Sequence, residues 1–398
     1  MSGTKTARLS AFCTTGSGGT PSRSKLERYY EGGTIPWIKS GELRESVINR
    51  AEECVTAAAL KESSIKLVPA GAILLAMYGA TVGRLGILGI EATTNQAVCH
   101  IIPDPKKAVT RYVYHALSSQ VPTLISMGVG GAQPNINQGI IKGLAIPLPP
   151  LPEQRRIAAV LDQADALRAK RREALLQLDS LTQSIFIEMF GEALGSNTRL
   201  ALSHYIEEFR YGTSNKSGVD GYPALRIPNV TSGSLDLTEL KTVEVDDAEF
   251  QRLKLRDGDL LFVRTNGNPD NVGRCAVFNP LKVSDSGFDS SEFIYASYLI
   301  RARMKKETVL PVVLQQYLSA GEGRQALRAR SKTSAGQFNI NTQGLGTLPI
   351  PSFPMAQQEA FIGRKQAIEQ QQTVQRSSLT ELERLFASLQ HRAFQGEL

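Results

Sequence analysis

The sequence predicts an α+β protein: two similar mixed α/β domains separated by two long helices that form an antiparallel coiled coil, in a pseudo-twofold (circular) arrangement. Three observations carry this. A block opening Gln133-Pro134-Asn135-Ile136-Asn137 runs on to Pro147, Pro150, Glu153 and Gln154, and returns as Gln337-Phe338-Asn339-Ile340-Asn341, running on to Pro351, Pro354, Gln357 and Gln358. The offset is 204 residues throughout, with no gap. Each copy leads into a long, charged, Leu-rich segment with helical spacing. Shorter matches carry the duplication back into the preceding globular part. Two diverged copies of one fold, each feeding the same kind of helix, explain the pattern.

The matching boundaries are 1–152 and 196–356 for the domains, and 153–195 and 357–398 for the helices. Within the domains, Gly19-Thr20 matches Gly212-Thr213, and Ile35–Leu43 matches Ile227–Leu235. Gly71–Leu75 matches Gly258–Phe262, and Val82-Gly83-Arg84 matches Val272-Gly273-Arg274. The offset drifts from 193 to 187 and 190 before settling at 204, so insertions lie inside the globular parts. Ala72–Met77 and Leu260–Arg264 have strand length and follow glycine turns. A helix is expected at Thr110–Ser119 and at Val309–Ser319. The Pro-rich Ile146–Pro152 and Ile350–Pro354 cannot be helix interior and read as extended connectors.

From Glu153 to about Phe190 a heptad-like stripe runs through Ile157, Val160, Ala164, Leu167, Arg171, Ala174, Leu178, Leu181 and Ile185, ended by Gly191 and Gly195. The second copy places Phe361, Ile368, Leu382, Leu385 and Leu389 at equivalent positions, with a polar middle at Gln371, Gln372 and Gln375. An amphipathic helix of about 55 Å, at ~1.5 Å per residue, needs a partner for its apolar stripe. The two copies can supply it to each other, pairing antiparallel. The alternative is that each helix packs on its own domain.

Composition narrows the function. The chain has 398 residues, a net charge of +7 and 41% apolar residues. An isoelectric point near 9.2 favours a polyanion, with nucleic acid first and an anionic membrane surface second. Four cysteines at 13, 54, 99 and 275 make no Cys-x-x-Cys pair, which fits a reducing cytoplasm, and four histidines are scattered. Cys99-His100 reads as strand packing. The start shows no signal-peptide pattern. Gly71–Ile90 could imitate a membrane span, but Arg84 and five glycines make it two strands and a turn.

Motifs for catalysis are missing. An adenine methyltransferase needs Asn/Asp-Pro-Pro-Tyr/Phe, and Asn268-Pro269-Asp270-Asn271 lacks the second proline and the aromatic. Gly128-Val129-Gly130-Gly131 has the wrong spacing for a cofactor loop, and no phosphate-binding loop of the Gly-x-x-x-x-Gly-Lys-Ser/Thr kind exists. Asp257 and Asp259 read as a turn before a strand. DNA recognition makes other demands: cations for phosphates, Arg, Lys, Asn or Gln for base edges, and glycine-rich loops that approach the backbone. Each copy has such a loop. The first offers Tyr78, Thr81 and Arg84, and the second Arg264 and Asn266, reaching Arg274. Lys39 and Ser40, their counterparts Asn229 and Thr231, and Lys332 complete the DNA-facing candidates. Each can also be read as part of a solvated turn. Trp37 reads as a core anchor rather than a base-stacking wedge.

Gly18-Gly19-Thr20-Pro21-Ser22, Ile35–Leu43, Gln133–Asn137 and Pro147–Gln154 together resemble the specificity subunit (HsdS) of Type I restriction–modification systems. The resemblance covers nearly the whole chain. It implies a non-catalytic subunit with two target-recognition domains, each reading one half of a bipartite, asymmetric DNA site, while the helical rod sets the unread spacer. It implies double-stranded DNA, two methyltransferase subunits and a restriction/translocase subunit as partners, in a bacterial or archaeal cytoplasm. S-adenosylmethionine, ATP and Mg are then expected on the partners and no cofactor on this chain. Partner docking falls at the helix starts: Glu153, Gln154, Arg155, Gln357 and Gln358. The second copy departs from the pattern, with Phe353-Pro354-Met355-Ala356-Gln357 in place of Pro-Pro-Leu-Pro-Glu, which bears on whether the two docking surfaces are equivalent. A 55 Å rod spans about 16 base pairs at ~3.4 Å each, so both half-sites should lie on one face within about one to two turns. Two rival classes remain: a non-catalytic two-domain protein-interaction scaffold on a helical rod, and a single-chain restriction–methylation enzyme, which the absent motifs disfavour.

Overall fold

Ile73–Ala76 and Leu260–Val263 are strands whose every residue is buried, and their side chains alternate between two cores. Period-two alternation with both faces apolar marks a central strand covered on each side. The computed structural model describes residues 5–44, 47–128, 135–305, 309–334 and 336–398, Ser334 by its main chain only. The chain divides into two compact units, Met1–Glu173 with Arg376–Leu398, and Ala174–Gln375.

In the first unit a five-stranded sheet has the order Cys13–Ser17, Val98–Pro103, Ile73–Ala76, Leu85–Leu88, Val47–Ile48. All its neighbours are antiparallel except the last pair. Ile73 and Leu75 face a core built with Tyr112, Val113 and Leu117 of the helix Thr110–Ser126, whereas Leu74 and Ala76 face Ile38, Ile48, Leu88 and Val98. The Gly71–Ile90 segment is thus two strands, and no described helix is long and apolar enough to cross a membrane. A second sheet runs Glu53–Val55, Ile35–Ile38, Thr93–Thr94. Trp37 is buried there and donates from Nε1 to the Gly19 carbonyl at 3.1 Å, as a core anchor does.

The second unit repeats the plan. One four-stranded sheet runs Ile206–Tyr211, Leu299–Met304, Leu260–Val263, Cys275–Val277, and another Ser217–Gly218, Lys241–Val243, Tyr222–Leu225, Ile294–Tyr295. Leu260 and Phe262 face helix Pro311–Ser319, while Leu261 and Val263 face Phe278, Phe293 and Leu299. A further helix, Gly321–Arg330, follows.

Each domain closes with the same short ribbon. Thr6–Arg8 pairs antiparallel with Ala145–Pro147, and Arg199–Ala201 with Pro349–Pro351. The connectors are extended at Ala145–Pro147 and Pro349–Pro351, but the first is corrected at its end: the helix already starts at Leu151, so Pro152 lies in its first turn, where proline is tolerated. Asn137 and Asn341 cap the short helices beginning at Gln138 and Thr342, each accepting a backbone N–H three residues on. Gln133 and Pro134 of the repeat, and Val129–Gly131, lie outside the described residues.

The long helices span Leu151–Gly195 and Met355–Gln395. Gly191 lies inside the first rather than ending it. Within each unit the two pair antiparallel. In the first unit Arg172 bonds Glu383 at 2.8 Å, Arg168 lies 4.3 Å from the Phe386 ring centre, and Arg156 reaches the Leu398 carbonyl. In the second, Gln372 donates to Asp179 at 2.7 Å, and Phe361 packs against Phe186 and Phe190 at 5.3 and 5.8 Å. The polar middle is thus part of the seam, since Gln372 is buried and bonded. Each buried phenylalanine contributes roughly 1.5–3 kcal/mol, more than the hydrogen bonds beside it. The predicted stripe is corrected by one residue at alternate positions. Leu161, Arg168, Thr182 and Phe186 face inward, while Leu167 and Leu181 are 50% and 45% exposed. Leucines occur around much of this helix, so spacing alone did not single out the face that Phe186 and Phe190 select.

The early match of Ile35–Leu43 with Ile227–Leu235 is also corrected. Ile35–Ile38 is a strand, whereas Ile227–Val230 is a helical turn. The strand that shares its pairing is Tyr222–Leu225: each has one antiparallel neighbour and one parallel neighbour. Ile38 therefore corresponds to Leu225, at offset 187 rather than 192. The chance recurrence of Ile-Pro gave the wrong register.

Candidate nucleic-acid interface

The two glycine-rich loops are held at their bases by the same backbone bonds. In the first domain Ala76 N–H donates to the Arg84 carbonyl and Gly83 N–H to the Ala76 carbonyl, both at 2.9 Å. In the second, Val263 donates to Arg274 and Gly273 to Val263, both at 2.8 Å. The backbone must turn with φ of +83° at Gly83 and +75° at Gly273, a region that glycine enters at little cost. The Asn-Ile-Asn motif then clasps each loop from the side: Ile136 N–H donates to Met77 and Ile340 N–H to Arg264, at 2.8 and 2.9 Å.

In the second domain this clasp is extended into a sheet. Thr265–Asn266 pairs with Gln337–Asn339, which pairs with Lys332–Ser334. Arg264 and Lys332 thereby line one open cleft of about 660 Å³ with Arg330, Asn339, Asn341 and Gln343. Its lining contains three cations and no carboxylate. Arg264 is aimed by stacking over Tyr211, 4.7 Å from the ring centre. Arg330 is steadied by bonds to the Ala326 and Thr347 carbonyls, both at 3.0 Å. The sequence reading missed Arg330, Asn339, Asn341 and Gln343 as lining residues. The arginines before Lys332 were visible as a basic cluster, but only the sheet shows that Arg330 shares a cleft with Arg264, 66 residues away.

The other candidates divide by what their side chains already do. Arg84, Arg274 and Lys332 are exposed, and Tyr78, Thr81 and Ser40 are half-buried at loop surfaces. The Asn266 side-chain oxygen accepts from Asn268 N–H at 2.9 Å, so it shapes its own loop. Partial burial works against the Lys39 ammonium, yet Glu53, then Glu42 and Glu52, hold its pKa above the ordinary value. Its charge is largely matched by Glu53 and Glu52 at 3.3 and 3.5 Å.

Four expectations are corrected by burial or by bonds within the chain. Asn229 is 1% exposed; it accepts from Arg226 N–H at 2.8 Å and donates to the Asp236 carbonyl at 2.7 Å, which leaves nothing for DNA. Glu42 bonds Lys39 N–H in the same way at 2.8 Å, so Asn229 matches Glu42, not the Lys39–Ser40 pair. Thr231, half-buried, is tied back to the Ile227 carbonyl at 3.0 Å. Gln154 and Gln358 are both 0% exposed and are not docking side chains. Gln154 accepts from Val109 N–H at 2.8 Å and donates to the Lys107 and Pro149 carbonyls. Gln358 accepts from Leu310 N–H at 2.7 Å and donates to the Phe353 carbonyl. Each glutamine locks the start of a long helix to its domain, and does so alike despite the divergent residues before it. Glu153, Arg155 and Gln357 remain at the surface, with the Glu153 carboxyl held below its ordinary pKa chiefly by Arg156.

Asp259 is buried in a bidentate pair with Arg303 at 2.7 and 2.9 Å, a structural role for the turn before its strand. Burial pushes the Cys13, Cys99 and Cys275 thiols up to about 12, so they stay protonated. Among the described residues no group of three or more His, Cys, Asp or Glu could hold a metal ion.

The chain resembles known proteins in sequence and in fold. Residues 1–177 match the sequence profile of the Type I restriction modification DNA specificity domain. The Type I restriction enzyme EcoKI specificity subunit of Escherichia coli K12 is 26% identical, over 98% of this chain and 88% of its own length. The StySPI specificity subunit of Salmonella potsdam is 24% identical, over 100% and 89%. A solved structure described as bearing on complex assembly and conformational transition of the type I R-M system shares the fold, with a TM-score of 0.56 at 17% identity, covering 100% of this chain and 99% of its own. Along nearly its full length, the chain is similar to Type I restriction enzyme specificity subunits.

Proposed function

We propose that this chain is the DNA sequence-specificity subunit of a Type I restriction–modification complex, itself non-catalytic. Each globular domain reads one half of a bipartite, asymmetric target in double-stranded DNA. The observation that carries this is the cleft lined by Arg264, Arg330 and Lys332 with Asn339, Asn341 and Gln343, free of carboxylates. Cations there neutralise phosphates, and the amides suit base edges. In the first domain the matching loop presents Tyr78, Thr81 and Arg84, with Ser40 and the largely neutralised Lys39 as further candidates; Arg274 and Lys332 flank the loop of the second.

The long helices are the scaffold for two methyltransferase subunits and a restriction/translocase subunit. Glu153, Arg155 and Gln357 lie at their starts. Leu176 and Ile187 on the first helix and Val374 on the second are more than half exposed, which supports docking along the helices. S-adenosylmethionine, ATP and Mg belong to those partners, in the cytoplasm. The test is DNA binding by the subunit assembled with its methyltransferases. Affinity should fall steeply with salt and depend on both halves of a site found by methylome sequencing. Salt-independent binding, or a methylome unchanged by deleting the gene, refutes the proposal.

A further inference from the structure

The loop of the second domain is three residues longer than its counterpart, although both are closed by the same bonds at their bases. The first loop rests on hydrocarbon: a methyl added at Gly83 would lie 2.7 Å from Val121 and 3.1 Å from Ile125. The second loop rests on Leu327 and on a guanidinium. A methyl added at Gly273 would meet Leu327 at 3.0 Å and Arg324 at 3.6 Å. Arg324, on the helix Gly321–Arg330, is 7% exposed. Its Nη1 donates to the Val272 carbonyl at 2.9 Å and its Nη2 to the Asp270 carbonyl at 2.8 Å.

Asp270 is the node of this loop. Its carbonyl also accepts from Arg274 Nε at 2.9 Å, and its carboxylate pairs with Arg328. Its N–H donates to the Asn268 side chain at 2.9 Å, and Asn268 N–H to the Asn266 side chain at 2.9 Å. A chain of hydrogen bonds therefore runs from Arg324 to Asn266, beside Arg264. Burial, and then repulsion from Arg274 and Arg328, lowers the pKa of Arg324, so this site is unfavourable for a cation in its own right. The domain core does not require one there, because the first domain fills the corresponding place with Val121 and Ile125.

We propose that Arg324 is a positioning residue: from beneath, its guanidinium fixes the Arg264–Arg274 loop in the shape that offers Arg264 and Arg274 to one half-site, without itself touching nucleic acid. This rests on the reading of that loop as DNA-facing. A longer loop has more conformations to lose on binding DNA, and two charge-assisted bonds to its backbone remove them beforehand.

The experiment uses the subunit assembled with its methyltransferases, carrying Arg324→Lys or Arg324→Met, on duplexes with each half-site scrambled in turn. Affinity should drop about tenfold in Arg324→Met, the worth of one charge-assisted hydrogen bond, and less in Arg324→Lys. The loss should fall on one half-site only. Amide exchange at 266–271 should speed up in free protein, and the slope of log affinity against log salt should stay at the parent value. A slope shallower by about 0.9 means a direct phosphate contact and overturns the proposal. Equal loss at both halves, or unchanged affinity, also overturns it. Arg264→Ala and Lys332→Ala serve as references. If they too leave binding unchanged, the loop is not DNA-facing and the underlying reading fails. If they weaken one half-site while the Arg324 variants do not, only the positioning role fails. Should Arg324→Met not assemble, Arg324→Lys keeps the buried charge and carries the same measurements.

Discussion

Replacing Gln154 by alanine should destabilise the first unit rather than merely loosen a docking surface. The side chain is fully buried and serves three backbone groups, the N–H of Val109 and the carbonyls of Lys107 and Pro149, at 2.8, 3.0 and 2.8 Å. Alanine leaves all three without that partner. A buried group stripped of its hydrogen bond costs about 1–3 kcal/mol, and water entering the vacated space recovers part of the sum, so about 3 kcal/mol in all is expected. The chain has one tryptophan, Trp37, buried in the first unit, so its fluorescence reports unfolding of that unit. With a urea m-value of about 2 kcal/mol/M, the midpoint should fall by roughly 1.5 M. Gln154→Glu retains the acceptor for Val109 but turns a carboxylate toward two carbonyls. It should be at least as damaging at pH 7 and recover in part, relative to the parent at the same pH, once that carboxyl is protonated. A midpoint within about 0.3 M of the parent, together with lost methyltransferase binding, would refute the buried-clasp argument and restore Gln154 to the docking surface.

Arg84→Ala should weaken one half-site only, by about tenfold as for a lost charged contact, and a footprint with equal loss at both halves would refute the assignment. Lys332→Ala should act on the other half-site and make the salt dependence shallower by about 0.9, read from filter binding at several salt concentrations. The first unit should also weaken in mild acid. His115 is 1% exposed; burial, helped by repulsion from Arg111, lowers its pKa from the ordinary 6.5 despite the pull of Asp162 at 2.7 Å. The unfolded chain takes up a proton near pH 6.5 that the folded one refuses, so this contribution is complete above pH 6.5 and is lost as pH falls toward the folded-state pKa. The Trp37 midpoint should therefore drop between pH 7.5 and 5.5, and less so in His115→Gln; an equal drop in both proteins assigns it elsewhere.

Legibility in the sequence followed the kind of signal each feature leaves. The helix starts were readable because the connector, the capping asparagine and the clasp glutamine all recur at one offset; their geometry tolerates no insertion. Pairing of the long helices was readable as a need for a partner, but the face was not. Leucine spacing fits two stripes one residue apart, and only the packing of Phe186, Phe190 and Phe361 decides between them. The candidates for DNA contact lie exposed where a glycine turn precedes an arginine, as at Gly83-Arg84 and Gly273-Arg274. They were misread where a polar residue is consumed by its own backbone. Asn229 was nominated for its amide, and that amide is spent closing the turn at Arg226. Arg324 left no signal of its own, because a buried and a surface arginine look alike in a helix that carries three.

The structure also suggests how one scaffold can serve two different half-sites. In both domains the loop base is fixed by a reciprocal backbone pair, a left-handed glycine and a clasp from the Asn-Ile-Asn segment. These bonds involve backbone atoms, so they constrain where the loop leaves and rejoins the sheet but not which side chains it carries. Three extra residues in the second loop thus alter only its tip, and the added freedom is met by Arg324 beneath it. Loop length can change without moving the frame, because closing a slightly longer loop costs only a few tenths of a kcal/mol when its ends are already pinned. A frame of this kind predicts that exchanging Tyr78–Val82 for the longer Thr265–Val272 tip would leave the first domain folded. Its new loop would be disordered, though, because Val121 and Ile125 offer no cation to the carbonyls that Arg324 holds.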